Sequence, residues 1–233
     1  MTSNDSSKSK IIQPAPTWDE IDTVLLDMDG TLLDLHFDTH FWLEHVPARY
    51  AEANSLPIEK AREQLMKRYR SAEGTLEWYC VDYWSDQLNL NIETLKQEVD
   101  HLISLRPDVI SFLQALANAG KHRILVTNAH GKSLSLKMKR TPIGDHLDEI
   151  ITSHDIGLPK ESSDFWDKLQ QKHYFLPERT LLIDDSINVL SSAEKYGIKH
   201  LRAILQPNSK LDPDPHDKFI HVDRFTDIFP IQG

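Results

Sequence analysis

A chain of 233 residues with a formal net charge of -10 and a pI of about 5.6 is long enough for one full core plus a smaller appended module. The acidic balance excludes the basic footprint of a nucleic-acid binder and the polybasic patch of a protein held at anionic membranes, and no apolar run reaches the roughly 20 residues of a membrane span. The single cysteine, Cys80, cannot close an internal disulfide, which points to the cytoplasm.

The first residues are polar and lack the apolar segment of a secretory signal, so 1–16, closed by Pro14 and Pro16, reads as a disordered tail. A strand is expected at 23–27, in the run Val24-Leu25-Leu26-Asp27-Met28-Asp29-Gly30-Thr31. About seventy residues without a good strand follow. Helices are expected near 39–53, 58–71, 75–88 and 92–102, separated by breakers at Asn54-Ser55-Leu56-Pro57 and Glu73-Gly74. Cys80, Trp78, Tyr79, Tyr83 and Trp84 lie here in an apolar, aromatic stretch and read first as packing residues.

From Arg106-Pro107-Asp108 onward, strands and helices alternate. Helices are expected at 108–119, 132–140, 163–174 and 187–196, and strands at 123–127, 149–153, 180–184 and 200–205. The Pro-rich segment 206–218 reads as a loop, and 219–230 as a short terminal element. This rhythm predicts an α/β fold, a Rossmann-like doubly wound parallel sheet. The expected division is 17–35 with 106–233 as the core domain and 36–105 as an all-helical insertion.

Three of the expected strands end in polar groups. Asp27 and Asp29 follow the first, Thr127-Asn128 the second and Asp184-Asp185 the fourth, while Lys160 stands in the loop Gly157-Leu158-Pro159-Lys160-Glu161. In an open parallel sheet such groups meet at the carboxyl ends of the strands. The set matches phosphoryl transfer. One carboxylate acts as nucleophile, a second carries the proton, a hydroxyl and an ammonium hold phosphoryl oxygens, and carboxylates hold Mg²⁺.

Asp27-Met28-Asp29-Gly30-Thr31, Val126-Thr127-Asn128, Pro159-Lys160 and Ile183-Asp184-Asp185 stand in the order of the four motifs of the haloacid-dehalogenase (HAD) superfamily, which the chain resembles over roughly 24–205. The resemblance implies a helical cap at 36–105. It also implies Asp27 as nucleophile and Asp29 as general acid/base. Phosphate would be bound at Thr127, Asn128 and Lys160, and Mg²⁺ by Asp27, Asp184 and the Asp29 backbone carbonyl. Asp185 would either ligate the metal or orient its neighbours. Asp34-Leu35-His36-Phe37-Asp38, Trp78-Tyr79-Cys80-Val81-Asp82-Tyr83-Trp84-Ser85 and Thr127-Asn128-Ala129-His130 are similar to stretches of the bacterial purine 5′-nucleotidases that act on IMP and GMP. That likeness implies a purine monophosphate as substrate. The alternatives are a phosphatase or phosphomutase for sugar phosphates or phosphoglycolate, and a phospho-acceptor signalling module. His130 follows the phosphate-binding turn and reads equally as a substrate contact or a surface residue. The twelve histidines show no spacing that argues for zinc.

Overall fold

The computed structural model describes residues 14–230. Six strands form one parallel sheet in the order β3-β2-β1-β4-β5-β6. β1 (Thr23–Leu26) is central, paired with β2 (His122–Thr127) on one side and β4 (Thr180–Asp184) on the other. β3 (Glu149–Thr152) pairs β2, and β5 (His200–Ile204) pairs β4. β6 (His221–Val222), a two-residue strand within the expected terminal element, closes the far edge.

The central strands carry the apolar runs Val24-Leu25-Leu26, Ile124-Leu125-Val126 and Leu181-Leu182-Ile183 because both faces of the sheet are covered. Val24, Leu26, Leu125, Leu181 and Ile183 pack on one face against Phe112, Leu113 and Leu116 of α7 (Val109–Asn118) and against Phe225 near the C-terminus. Leu25, Ile124, Val126 and Leu182 face the other way, against Trp166 and Leu169 of α10 (Phe165–Lys172) and Val189 and Leu190 of α11 (Ile187–Tyr196).

The insertion has a hydrophobic cluster of its own, built on Phe37, Phe41, Leu65, Tyr69, Trp84 and Ile92. Its helices are α1 (His36–His40), which runs through a π turn (Phe41–His45) into α2 (Val46–Asn54), then α3 (Ile58–Ala72), α4 (Leu76–Tyr79), α5 (Val81–Leu88) and α6 (Ile92–Glu98). The two crossings between insertion and sheet are stitched together. Leu33 bridges Leu105, Asp34 N donates to Ser104 O at 3.0 Å, and Arg106 N donates to Leu32 O at 3.0 Å.

Several boundaries differ from the sequence reading, each for a local reason. β1 stops at Leu26, not Asp27, because the N–H groups of Leu32 and Leu33 both turn back onto Met28 O. The single helix expected at 75–88 is two, broken at Cys80, which has extended backbone and serves as N-cap of α5. β3 ends at Thr152 because Thr152 and Asp155 form a capping box that starts α9 (Ser153–Ile156). Of the tail expected at 1–16, residues 1–13 lie outside the described residues. Pro16 is buried, and Pro14 O accepts from Arg202 Nη2 at 3.3 Å.

Candidate active site

Asp27 stands directly after β1, Thr127 ends β2 and Asp184 ends β4, so three neighbouring strands deliver their polar ends to one point. The fourth group arrives on a loop. Lys160 is buried, and its backbone is fixed from both sides: its N–H donates to Asn128 Oδ1 at 2.9 Å, and its carbonyl accepts from Ser192 Oγ of α11 at 2.6 Å. Its ammonium donates to Asp27 Oδ1 and Asp184 Oδ2, both at 2.6 Å, and to Val126 O at 3.1 Å. All three ammonium protons are therefore in use, and Lys160 is a fixed positive charge between two carboxylates.

Thr127 Oγ1 accepts from Ala129 N at 3.0 Å, which leaves its own proton free to donate. Asn128, expected to bind phosphate, has its side chain engaged at both ends. Besides accepting from Lys160 N, it donates Nδ2 to Glu161 Oε2 at 3.0 Å. It lines the cavity while holding two loops together. Asp184 Oδ1 accepts from Ser186 N at 2.9 Å, pinning the carboxylate to the start of α11.

Asp29 points to a different partner. Its Oδ1 accepts from Lys137 Nζ at 2.6 Å; Lys137 also donates to Asp38 Oδ2 at 2.6 Å, and Asp38 Oδ1 accepts from Lys96 at 3.0 Å. Lys137 belongs to α8 (Gly131–Arg140), Asp38 to α1 and Lys96 to α6, so this chain of charges crosses from sheet domain to insertion. Burial raises Asp29 to about 6 against the pull of Lys137, with Asp38 and Asp27 adding repulsion. Burial also opposes ionisation of Asp38, but Lys137 and Lys96 outweigh it and hold that carboxyl well below the usual range. Asp27 is likewise raised to about 6 by burial, with Lys160 opposing and Asp184 assisting. Burial and the negative charges of Asp27 and Asp184 push Asp185 well above its ordinary value.

Carboxylate oxygens of Asp27, Asp184 and Asp185 lie within 4.8 Å of one another, and Asp27 Oδ2 is buried with no hydrogen-bond partner. An orphaned carboxylate oxygen among hard oxygen donors fits a Mg²⁺ ion. The fit draws in Asp185 through its side chain. The Asp29 carboxylate is outside this group and turned to Lys137, so only its backbone carbonyl remains for the metal contact expected of it. Gly30, at φ +90°, keeps the turn close: a Cβ there would collide with the Asp185 carboxylate and press on Pro207.

A cavity of about 560 Å³ opens over these groups, within the usual size for a small-molecule site. Its floor is Asp27, Asp29, Thr127, Lys160, Asp184 and Asp185, and its roof includes Trp42, Tyr69, Arg70, Trp78 and Trp84 from the insertion. Tyr79 OH donates to Glu161 Oε1 at 2.5 Å, joining roof to floor.

Lys137, Asp38 and Glu161 were not singled out in the sequence. Lys137 shares α8 with Lys132, Lys139 and Arg140, and only the packing of the α8 face bearing Ser133 and Lys137 distinguishes it. Asp38 closes the run Asp34-Leu35-His36-Phe37-Asp38, and Glu161 follows Lys160 in its loop.

A family model described as haloacid dehalogenase-like hydrolase matches residues 21–197. The chain is 39% identical over 213 residues to the GMP/IMP nucleotidase YrfG of Escherichia coli (strain K12), covering 91% of this chain and 96% of that one. Among solved structures, a HAD phosphatase from Thermococcus onnurineus superposes with a TM-score of 0.74 at 20% identity, over 88% of this chain and 95% of that one. The HAD-hydrolase YfnB from Bacillus subtilis, solved bound to magnesium, superposes with a TM-score of 0.63 at 16% identity, over 88% and 96%. The two structural likenesses speak to the fold alone.

Proposed function

The chain belongs to the haloacid dehalogenase-like hydrolases, and within that family we propose that it is a Mg²⁺-dependent 5′-nucleotidase hydrolysing IMP and GMP through an aspartyl-phosphate. Membership of a hydrolase family makes it an enzyme and sets aside the phospho-acceptor module. The observation that carries the substrate reading is the 39% identity to a GMP/IMP nucleotidase over nearly the full length of both chains. A roofed cavity with five aromatic side chains from the insertion is compatible with a purine ring above a phosphate-sized floor.

The proposed chemistry uses the two aspartates in sequence. Asp27 attacks phosphorus, and the P–O bond to the ribose 5′-oxygen breaks. Asp29, entering protonated, gives its proton to that oxygen and the nucleoside leaves. Asp29, now a carboxylate, takes a proton from water; the resulting hydroxide attacks the aspartyl-phosphate, releasing phosphate and restoring Asp27. A carboxyl raised to about 6 by burial suits a group that must both give and take a proton near neutrality. Lys160 holds Asp27 in line, and Thr127 donates to a phosphoryl oxygen. Mg²⁺ at Asp27, Asp184 and Asp185 would neutralise the substrate dianion against three carboxylates. The insertion, in this reading, is the cap that selects the leaving group.

The test is a phosphate-release panel of IMP, GMP, AMP, pyrimidine monophosphates, sugar phosphates and phosphoglycolate at one Mg²⁺ concentration. IMP and GMP should give the highest kcat/KM; a sugar phosphate or phosphoglycolate ahead of both would overturn the substrate reading. Asp27→Asn should lower kcat on the best substrate by about 10³-fold or more, with thermal unfolding still cooperative. A folded Asp27→Asn protein retaining more than a few per cent of activity would remove Asp27 as nucleophile.

A further inference from the structure

Cys80, His130 and His154 are far apart in sequence, yet one ligand atom from each lies within 4.8 Å of the other two. We propose that these three residues form a second cation site, for a thiophilic divalent ion of the Zn²⁺ type, which ties the helical insertion to the sheet domain. The proposal is independent of the substrate reading.

The donor set is the first argument. One thiolate and two imidazoles form a borderline-soft trio that favours Zn²⁺ and is poorly matched to Mg²⁺. The all-oxygen cluster of Asp27, Asp184 and Asp185 has the opposite preference. One chain thus offers two cation sites of contrasting chemistry. Tetrahedral Zn²⁺ needs donor separations of about 3.3–3.8 Å, which fall inside the 4.8 Å limit that the three ligand atoms meet.

The state of each ligand is the second argument. Both ring nitrogens of His154 are buried with no hydrogen-bond partner. Buried ring nitrogens without partners are costly, and an ion on one of them removes part of that cost. His154 and His130 meet edge to face, with ring centroids 4.9 Å apart. Cys80 is the N-cap of α5, its sulfur accepting from Tyr83 N at 3.4 Å, which fixes the sulfur at the break between α4 and α5. His130 Nδ1 makes only a long bond, 3.4 Å from Lys132 N, while its Nε2 stands 3.8 Å from Asp82 Oδ2. A metal on Nδ1 would replace that long capping bond and leave Nε2–H directed at that carboxylate, the usual support of a metal-bound histidine. Burial lowers both histidines, keeping the neutral, ligating form at neutral pH.

Placement gives the consequence. Cys80 is the break between α4 and α5 in the insertion, His130 caps α8 after β2, and His154 sits in α9 after β3. An ion held by all three would bind the roof of the cavity to its floor. A roof that cannot lift slows product departure, so the site would act as a brake on turnover.

The experiment uses the full chain, stripped of metal with chelator and returned to excess Mg²⁺. Cys80 is the only thiol, so alkylation by iodoacetamide reports on it alone. Zn²⁺ is expected to slow alkylation about tenfold or more at one equivalent, and Co²⁺ to give a thiolate-to-cobalt charge-transfer band. His154→Ala should lose both effects while keeping its Mg²⁺-dependent turnover. Cys80→Ser, which retains a capping oxygen, should be inhibited by Zn²⁺ at least about tenfold less strongly than the wild type. Unchanged alkylation of the folded wild type under Zn²⁺ would overturn the site. So would full protection in His154→Ala, or equal Zn²⁺ inhibition of wild type and Cys80→Ser, which would place the ion at the aspartates.

Discussion

Asp29 and Lys137 show how one contact divides two similar carboxylates. Asp27 and Asp29 are one residue apart, equally raised by burial, yet each faces its own lysine. Lys160 is shared with Asp184, at the proposed metal, whereas Lys137 is shared with Asp38 and is free of the metal group. This sets Asp29 apart from the proposed metal group, in keeping with its proposed role as proton carrier. The contact yields a prediction. Lys137→Met keeps the buried stem and removes the ammonium, so the carboxyl of Asp29, already at about 6, rises further. The pH profile of kcat should move upward by about one unit, and kcat at neutral pH should fall on the order of 10²-fold, with KM changing less. A profile that stays in place while kcat drops would mean Lys137 only supports packing.

At the scale of elements, the insertion is held by an aromatic cluster around Trp84. That side chain is 2% exposed and packs edge-on against Tyr69 and Tyr83, with ring centroids 5.1 Å away in each case, while its Nε1 donates to Trp78 O at 2.8 Å. Its main role is therefore packing, although its surface also touches the cavity. Trp84→Leu should cost about 2–4 kcal/mol and impair nitrophenyl phosphate and nucleotides alike. Loss of nucleotide turnover alone, at an unchanged melting temperature, would instead mark Trp84 as a base-stacking platform. The sequence showed the apolar runs of β1 to β5 and the helices between them because doubly covered strands and amphipathic helices leave strong local patterns. It did not show the break at Cys80. No Gly or Pro marks it; the bond from Trp84 to Trp78 O bends the chain there, and that bond exists only once the cluster packs. The same limit hid Lys137, whose burial depends on α1 and α6 arriving from the insertion. Asp27, Thr127, Lys160 and Asp184 were visible because strand ends and motif order announce them. Asp185's place beside Asp27 was left open, since the turn at Gly30 that admits it is a property of the folded pair.

For the molecule as a whole, these buried charges make stability depend on pH, and an ion at the proposed metal site would couple to that dependence. Asp27 is raised to about 6, and Asp184 and Asp185 are raised as well, in each case by burial first. Unfolded aspartate titrates near 3.9. At these groups the folded chain therefore binds more protons than the unfolded chain between about pH 4 and pH 6, and their contribution to stability falls as pH rises across that window. The contribution of these groups is fully present below the unfolded pKa and is lost as pH climbs through the folded one. A divalent cation on the ionised carboxylates offsets that loss, and it has nothing to bind when they are protonated. In chelator, the melting temperature should thus carry a penalty at pH 7.5 that Mg²⁺ relieves by several degrees, a shift matching about 2 kcal/mol for a domain of this size. At pH 5 the same Mg²⁺ concentration should change it little. Thermal unfolding with and without Mg²⁺ at the two pH values measures the difference directly, and Asp184→Asn should shrink the Mg²⁺ increment at pH 7.5. An increment equal at both pH values would show that the ion stabilises the fold from somewhere other than these three carboxylates.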